Sequence, residues 1–431
     1  MTEGQAVGTG AGVERLARLL DEAFGADQVV RVDPERLHPA ITHEPTRAFL
    51  TGTGLMRRAG LLRLTPEPEG GARQVSDLFP DDEETEDTGE FVVLGRFAAE
   101  GRHEELAEYA EDDEDDEHDS YEEYIVLDGR TGRIHALDDP SDSRLLASGL
   151  YSFTFFALAL AWLRTGREIF EESAGRYGPE AVAESTETLL GLIRDHDPAL
   201  LGTEHGDMEV SPFWRLSFLL SPLSRIAAPG GGDGLALALP EGLLEKEYGA
   251  DAVVRFTDED LPEALTHEPT RAFLRDTGLV RESGWVSLDE GPLVTLADEH
   301  RADGEDGGDD GTAGEPAPGA EGLIRIGYLV EDTDLVIDGA TGRVRGWFIP
   351  DALLQSVNAD VSTLAFTQWL IARVRAFDRE HRITDDYPNL AATATAVLAA
   401  VDPVARSGDE GDIWQYWPEV FPDEAGGGLY A

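Results

Sequence analysis

The chain has 431 residues, of which 87 are acidic and 34 basic, so its formal net charge is −53 at pH 7. A surface of this charge repels phosphate groups, which argues against nucleic acid as a direct partner. The absence of cysteine excludes disulfides, thiol catalysis and cysteine-ligated metal sites.

The first predicted elements are a helix, a short strand and a second helix. Apolar residues at helical spacing predict a helix over residues 13–24, and residues 29–32 predict a short strand. Thr42 is expected to cap the next helix, with Pro45 in its first turn, and Thr266 repeats this pattern in the second half of the chain.

The middle of each half is expected to form strands. Residues 91–94 and 124–127 are rich in β-branched and aromatic side chains, and residues 323–330 have the same character in the second half. Two glycines in the connection Asp128–Gly132, placed between strand-forming runs, predict a β-hairpin.

Helices follow the strands. Residues 153–163 and 361–377 are apolar helices, for which Ser152 and Asp360 are the predicted N-caps. Two further helices are each expected to end just before an Asp-Pro pair. This order predicts an α+β fold in which a central, mainly antiparallel sheet with hairpins lies between N-terminal and C-terminal helices.

An internal duplication links the two halves. Residues 42–50, with the sequence THEPTRAFL, recur unchanged as residues 266–274. Residues 128–134 pair with 338–344, and the order of matched segments is kept while their spacing drifts. One domain was therefore copied, and the loop lengths then changed.

The duplication predicts the domain organisation. We expect a disordered tail over 1–12, a first copy over 13–226 with an acidic insertion at 81–123, a Gly/Pro linker over 227–236, a second copy over 237–424 with an acidic loop at 298–320, and a tail over 425–431.

The two acidic segments are expected to be mobile loops, because runs of like charge are normally solvated. Residues 81–123 carry 21 acidic residues and two arginines. The predicted partner-binding residues form one uninterrupted acidic run: Glu111, Asp112, Asp113, Glu114, Asp115, Asp116 and Glu117. Such acidity fits a basic protein partner, and it fits adaptation to a salt-rich cytoplasm equally well.

No catalytic, cofactor-binding or metal-binding motif is recognisable in the sequence. His43 and His267 lack the second histidine of a zinc-protease motif, and the acidic segment 303–311 lacks the spacing of a calcium-binding loop. The residues repeated in both copies are predicted to be structural: His43, Arg47, Phe49, His267, Arg271 and Phe273. Core packing is likewise the expected role of Trp214, Trp414, Tyr416 and Trp417.

The series of motifs resembles the SUKH-4 group of bacterial immunity proteins. Those domains share a Thr-Arg-x-Phe-Leu helix followed by Gly-Leu, a hairpin with Asp-Gly-x-Thr-Gly-Arg, an apolar helix and an Asp-Pro pair. In this chain the matching segments are 46–50, 128–133, 153–162 and 197–198, and then 270–274, 338–343, 361–369 and 402–403. An asparagine near the start of the apolar helix is present as Asn358, opposite which we place Leu150 in the first copy.

The resemblance implies a non-enzymatic, cytoplasmic protein that binds and neutralises a toxin, often a nuclease or a nucleic-acid deaminase. Such toxins are frequently basic, so the charge of this chain would accelerate association. The sequence leaves two alternatives open, a mimic of nucleic acid that binds basic proteins in general, and an enzyme that uses paired carboxylates. It contains no segment of the roughly 20 apolar residues that span a bilayer, so no membrane partner is expected.

Overall fold

The structure is a computed structural model. It describes residues 10–66, 73–79, 91–98, 123–139, 142–206, 208–231, 234–289, 291–305, 317–330, 333–350, 352–381, 383, 386–407, 415–423 and 427–430.

The chain divides into two compact units. The first comprises residues 1–175, 183–222 and 385–393, and the second comprises 176–182, 223–384 and 394–431. Each unit corresponds to one sequence copy, except that the short segments 176–182 and 385–393 are exchanged between them. The domain boundaries 13–226 and 237–424 therefore remain a prediction from the sequence repeats.

The first unit contains most of the elements of the first copy. Its helices are α1 (Gly10–Phe24), α2 (Glu44–Gly52), α3 (Val75–Leu78), α4 (Leu150–Thr165), α5 (Pro179–His196, from residue 183 on) and α6 (Phe213–Leu220). Its strands are β1 (Val29–Val30), β2 (Leu55–Met56), β3 (Arg58–Ala59), β4 (Leu62–Leu64), β5 (Phe91–Phe97), β6 (Tyr124–Asp128), β7 (Ile134–Asp139), β8 (Asp142–Ala147), β9 (Glu204–His205) and β10 (Met208–Glu209). Strands β3 to β8 form one antiparallel sheet in chain order.

The second unit repeats this plan. Its strands are β11 (Ala228–Pro229), β12 (Leu237–Ala238), β13 (Val253–Val254), β14 (Leu279–Val280), β15 (Val286–Leu288), β16 (Val294–Thr295), β17 (Leu323–Leu329), β18 (Thr333–Asp338), β19 (Val344–Phe348) and β20 (Leu353–Asn358). Its helices are α7 (Leu243–Tyr248), α8 (Glu268–Asp276), α9 (Leu296–Glu305), α10 (Val361–His381), α11 (Tyr387–Val401, from residue 394 on), α12 (Pro403–Ser407) and α13 (Tyr416–Val420). The antiparallel order of the sheet is β15-β17-β18-β19-β20, with β16 also paired to β17.

Each sheet buries one face under helices and covers the other with a smaller cluster. In the first unit Ile125 and Leu127 belong to the main core with Phe153 of α4. Val126, which lies between them and points to the opposite face, packs with Val75 of α3. The predicted α+β class with antiparallel sheets is thereby confirmed.

Three of the four predicted helix caps are wrong. Helix α2 begins at Glu44 with His43 at its N-cap, and His267 holds the same position before α8. The backbone N–H of Thr42 instead donates to the carbonyl of Gly129, as that of Thr266 does to Gly339. The backbone of each threonine therefore contacts a glycine that is distant in the sequence.

The two apolar helices start differently. Ser152 lies inside α4, whose N-cap is Gly149, so its predicted capping role is also wrong. Asp360 accepts hydrogen bonds from the N–H groups of Ser362 and Thr363, as a helix cap should.

Parts of the predicted loops and tails have regular structure. Strand β5 lies inside the predicted insertion 81–123, and α9 includes residues 298–305 of the second acidic loop. Helix α1 begins at Gly10, inside the predicted N-terminal tail, and Leu429 of the predicted C-terminal tail is fully buried. The predicted linker contains β11, which pairs with β12.

Candidate functional site

The acidic run 111–117 lies outside the described residues, so its role as a partner-binding segment remains a prediction. Trp414 and most of the acidic segment 303–311 also lie outside them. The other aromatic residues predicted for the core are buried: Trp214, Tyr416 and Trp417.

The repeated THEPTRAFL motif binds the hairpin turn of its own copy. In the first unit the N–H groups of Thr42 and His43 both donate to the carbonyl oxygen of Gly129, at 2.8 and 2.9 Å. The Nδ1 atom of His43 lies 2.8 Å from Thr46 Oγ1. In the second unit His267 and Thr270 repeat the latter contact, also at 2.8 Å. The two clearest repeats in the sequence, the THEPTRAFL segment and the hairpin turn, therefore contact each other within each copy.

A glycine makes this contact possible. Gly132 and Gly342 both have φ of +78°, in the left-handed region that favours glycine. A Cβ atom on Gly132 would lie 2.4 Å from His43 Nδ1 and 2.5 Å from Thr46 Oγ1. The glycine of the Thr-Gly-Arg element is thus explained by its positive φ and by the close approach of the histidine ring.

The remaining repeated residues also contact their own unit. Arg47 Nη1 donates to the carbonyl of Ile41 at 2.9 Å. Arg271 makes the matching bond to Leu265 at 3.1 Å. Phe49 and Phe273 are each only 7% exposed. These contacts favour the structural role over a partner-binding one.

A buried cluster of polar side chains surrounds Glu123, the last residue of the acidic insertion, which directly precedes β6. Glu123 Oε1 accepts a hydrogen bond from Arg144 Nη2 at 2.6 Å. Glu123 Oε2 accepts one from Asn389 Nδ2 at 2.6 Å, and Asn389 also donates to Asp386. The segment 385–393 belongs to the first unit, so sequence reasoning, which assigned it to the second copy, had no signal for this cluster.

Burial governs the electrostatics of this cluster. Burial, and then the neighbouring Asp386, raise the pKa of Glu123 to about 8. Burial also raises the pKa of Asp386. Both oxygens of Glu123 already have donors within the protein. The cluster therefore anchors the end of the acidic insertion rather than presenting a free carboxylate to a substrate.

The raised pKa of Glu123 predicts a pH dependence. The unfolded state binds the carboxyl proton of Glu123 with the reference pKa of 4.5, and the folded state binds it more tightly. The free energy of unfolding therefore falls as the pH rises from 4.5 towards about 8. Glu123→Gln removes this titration, so the variant should lose less stability than the parent between pH 5 and pH 8. Denaturant unfolding of the full chain at several pH values measures this loss.

Glu187→Gln is the matched control, because Glu187 has a side chain that is 73% exposed. That variant should keep the pH dependence of the parent. An equal loss of stability in the Glu123→Gln variant and the parent would contradict the assignment.

The Asp-Pro pairs fix the turn between the last sheet strand and the apolar helix. In the first unit Asp197 accepts hydrogen bonds from the Ser148 N–H at 2.7 Å and from Ser152 Oγ at 2.8 Å. In the second, Asp402 accepts from the Ala359 N–H and from Asn358 Nδ2, both at 3.0 Å. These aspartates therefore do more than end a helix.

The two copies differ beside this turn. Ala147 pairs with Ile134 as Asn358 pairs with Val344, so Ala147, and not Leu150, occupies the position of the asparagine. Trp417 Nε1 donates to Asn358 Oδ1 at 3.2 Å. The buried Nε1 of Trp214 in the first copy has no such partner within the described part of the chain.

Other kinds of site were sought among the described residues. No group of three or more histidine, aspartate or glutamate residues there could hold a metal ion. None of the helices in this part of the chain has the length and apolar character needed to cross a membrane.

The chain is thus a duplicated α+β protein whose repeated motifs serve its own fold. A model of the SUKH-4 immunity protein matches residues 15–209 and, again, residues 239–423. The chain therefore belongs to the SUKH-4 immunity protein family as a tandem duplication, which confirms the resemblance seen in its motifs. No curated protein and no solved structure is significantly similar to it.

Proposed function

We propose that this protein neutralises a basic toxin, a nuclease or a nucleic-acid deaminase, by binding it in the cytoplasm. The observation that carries the proposal is the match of an immunity-protein family to both copies. A net charge of −53 supports a basic partner, because opposite charge steers two proteins together and raises their rate of association.

Inhibition by binding, without catalysis, is the mechanism that the described residues support best. The repeated polar side chains, His43 and Arg47 among them, hydrogen-bond to their own unit. The buried side chain of Glu123 accepts hydrogen bonds from Arg144 and Asn389. An inhibitor needs only a complementary surface, and its charge far from the contact acts mainly on the association rate.

The acidic run 111–117 provides the test. Changing its seven residues to Asn and Gln should lower the association rate with the toxin domain encoded beside this protein, and should flatten its salt dependence. The dissociation rate should stay within about a factor of three, since buried contacts set it. Surface-binding kinetics at several salt concentrations measure both rates.

A variant in which the same seven acids are permuted is the matched control, because it keeps the charge and changes the order. It should behave like the parent. A roughly hundredfold faster dissociation of the neutralised variant, about 2.7 kcal/mol, would instead place the run inside the interface and favour a nucleic-acid mimic. If the unmodified chain does not bind the neighbouring toxin domain, the immunity function itself is wrong.

A further inference from the structure

Two exposed apolar side chains lie at one end of the sheet of the second unit. Tyr328, near the end of β17, is 49% exposed, and Ile349, which directly follows β19, is 45% exposed. Tyr328 lies opposite Asp334 of β18, which lies opposite Trp347 of β19. Because side chains alternate along a strand, Ile349, two residues after Trp347, is expected on the same face as Tyr328.

The packing of this face does not cover the two side chains. Trp347 is 2% exposed and belongs to the smaller cluster on this face, with Leu296 of α9. Tyr328 and Ile349 belong neither to that cluster nor to the buried core. Single exposed apolar residues are ordinary, so the equivalent positions of the first copy show whether this pair is significant.

Both equivalent positions in the first copy are charged. The long strands β5 and β17 align through a glycine bulge at the same place, so Tyr328 corresponds to Arg96. Strands β7 and β19 align through their pairing with β6 and β18, so Ile349 corresponds to Asp139. Arg96 and Asp139 are both exposed. The fold therefore does not require an apolar residue at either position, and only the second copy has one.

A row of three arginines crosses the edge of the first sheet. Arg58 of β3 lies opposite Arg63 of β4, and Arg63 lies opposite Arg96 of β5. Arg58 and Arg96 are exposed. Like charges on opposite positions of neighbouring strands repel each other, and they repel a basic partner in the same way. This part of the first copy is therefore unfavourable to a basic toxin.

The same row in the second copy contains no arginine. Tyr328 lies opposite Ser287 of β15, and Ser287 lies opposite Glu282. The Ser287 hydroxyl donates to Glu282 Oε1 at 2.6 Å. The tyrosine ring thus has a carboxylate on each side along the row, Glu282 beyond the serine and Asp334 on the next strand.

Acidic side chains also outnumber the arginine beside Tyr328. Arg325, three residues earlier on β17, donates from Nε to Asp334 Oδ1 at 2.8 Å. Its Nη1 also contacts Asp289, and Glu299 lies 3.6 Å from the same atom. Three carboxylates therefore surround one guanidinium, which leaves an excess of negative charge.

Two further arginines complete the charge of this region. Arg345 lies on the same face, opposite Val336 of the smaller cluster. Arg281 neighbours Glu282 in the sequence, so alternation directs it to the other face. The face thus has four carboxylates and two arginines: Glu282, Asp289, Glu299 and Asp334 against Arg325 and Arg345. Its excess charge is negative, the opposite of the arginine row in the first copy.

The turn that carries Ile349 is strained. Ala352 has φ of +52°, in the left-handed region that disfavours residues with a Cβ atom. Its N–H donates to the carbonyl of Ile349 at 3.3 Å, and its side chain is exposed. Core packing therefore does not explain this conformation, and backbone strain of this kind is concentrated at sites that contact ligands.

We propose, resting on the function proposed above, that Glu282, Tyr328, Asp334 and Ile349 form a contact surface for the toxin, which we call the Tyr328 patch. An arginine or lysine of the toxin packs on the ring of Tyr328 between the two carboxylates, since cations bind favourably over aromatic faces. An apolar side chain of the toxin packs on Ile349. The arginine row prevents the same contact in the first copy, so binding is asymmetric.

Tyr328→Arg tests the proposal, because it introduces the residue that the first copy has at this position in the same type of sheet. Its affinity for the toxin domain encoded beside this protein should fall at least about tenfold. Tyr177→Arg is the matched control, since Tyr177 is a 43% exposed tyrosine of the second unit. It makes the same change in total charge and should bind within about twofold of the parent. Thermal melts establish that each variant is folded.

Ile349→Asp separates local contact from total charge. It introduces the residue of the first copy and adds a negative charge, which by itself favours association with a basic protein. Loss of the apolar contact should nevertheless weaken binding at least about threefold, through faster dissociation. Surface-binding kinetics measure both rates for all variants.

Each outcome decides one question. If the parent binds and the folded Tyr328→Arg and Ile349→Asp variants bind equally well, the Tyr328 patch is not the contact surface, and the immunity function stands. If the parent does not bind, both proposals fall. An equal loss in Tyr177→Arg and Tyr328→Arg would show an effect of total charge and overturn the assignment. A parent dimer that Tyr328→Arg converts to monomers would assign the patch to a second copy of this chain, which also overturns it.

Discussion

Replacing Asp402 with alanine should lower the free energy of unfolding by about 3–5 kcal/mol, because each buried donor left without an acceptor costs about 1–3 kcal/mol. Asp402 is fully buried. Its carboxylate accepts hydrogen bonds from Asn358 Nδ2 and from the N–H groups of Ala359 and Val404. Alanine removes the acceptor of all these donors, of which Asn358 Nδ2 alone keeps a second partner, Thr367 Oγ1.

The measurement is denaturant unfolding of the full chain followed by tryptophan fluorescence. Trp417 reports on this site, since its Nε1 donates to the same Asn358 that contacts Asp402. Asp402→Asn keeps the shape and one acceptor, so it should cost less than alanine. Asp258, whose side chain is 66% exposed, provides the control. Asp258→Ala should cost less than about 1 kcal/mol.

The same change in the first unit, Asp197→Ala, should have a comparable effect because Asp197 is likewise buried and accepts three hydrogen bonds. A cost for Asp402→Ala no greater than that for Asp258→Ala would show that the strand-to-helix turn holds its shape without the aspartate. The Asp-Pro pair would then serve only to end a helix.

The second large effect is expected at the repeated phenylalanines. Phe49→Ala and Phe273→Ala should each cost about 3–5 kcal/mol, as for other large-to-small changes in a packed core. Both side chains are 7% exposed and belong to the helix of the repeated motif. Because the environments match in the two copies, the two losses should be similar.

Leu201→Ala is the control for the phenylalanines, since Leu201 is 52% exposed. It should change the free energy of unfolding by no more than about 0.5 kcal/mol. Equilibrium denaturation of the full chain measures all three variants. A loss below about 1 kcal/mol at either phenylalanine would mean that this helix packs less closely than its burial indicates.

The hairpins and the duplication could be predicted because they depend on local sequence. Two glycines in a short connection between β-branched runs favour a tight turn for reasons local to the connection. The turn at Asp128–Gly132 lies between β6 and β7, as expected. An unchanged nine-residue repeat needs no structure to be recognised.

Helix caps and polar partners could not be predicted in the same way. Thr42 has the side chain of a good cap, yet its N–H binds Gly129, which is 87 residues away. Glu123 finds Asn389 at a separation of 266 residues. Such contacts depend on which segments the fold brings together, and hydrogen bonding to a distant group can outweigh a local preference.

The sequence by itself determined the duplication, the α+β class, the antiparallel hairpins and the family, because each follows from short-range periodicity or from motif order. Only the tertiary structure decided that His43 packs on a glycine turn, that Asp197 and Asp402 secure the start of a helix, and which aromatic residues stay exposed. Tyr151 and Ser362 show the physical reason. They occupy equivalent helical positions, yet Ser362 is fully buried and accepts a hydrogen bond from the N–H of Leu237 in β12, whereas Tyr151 stays partly exposed.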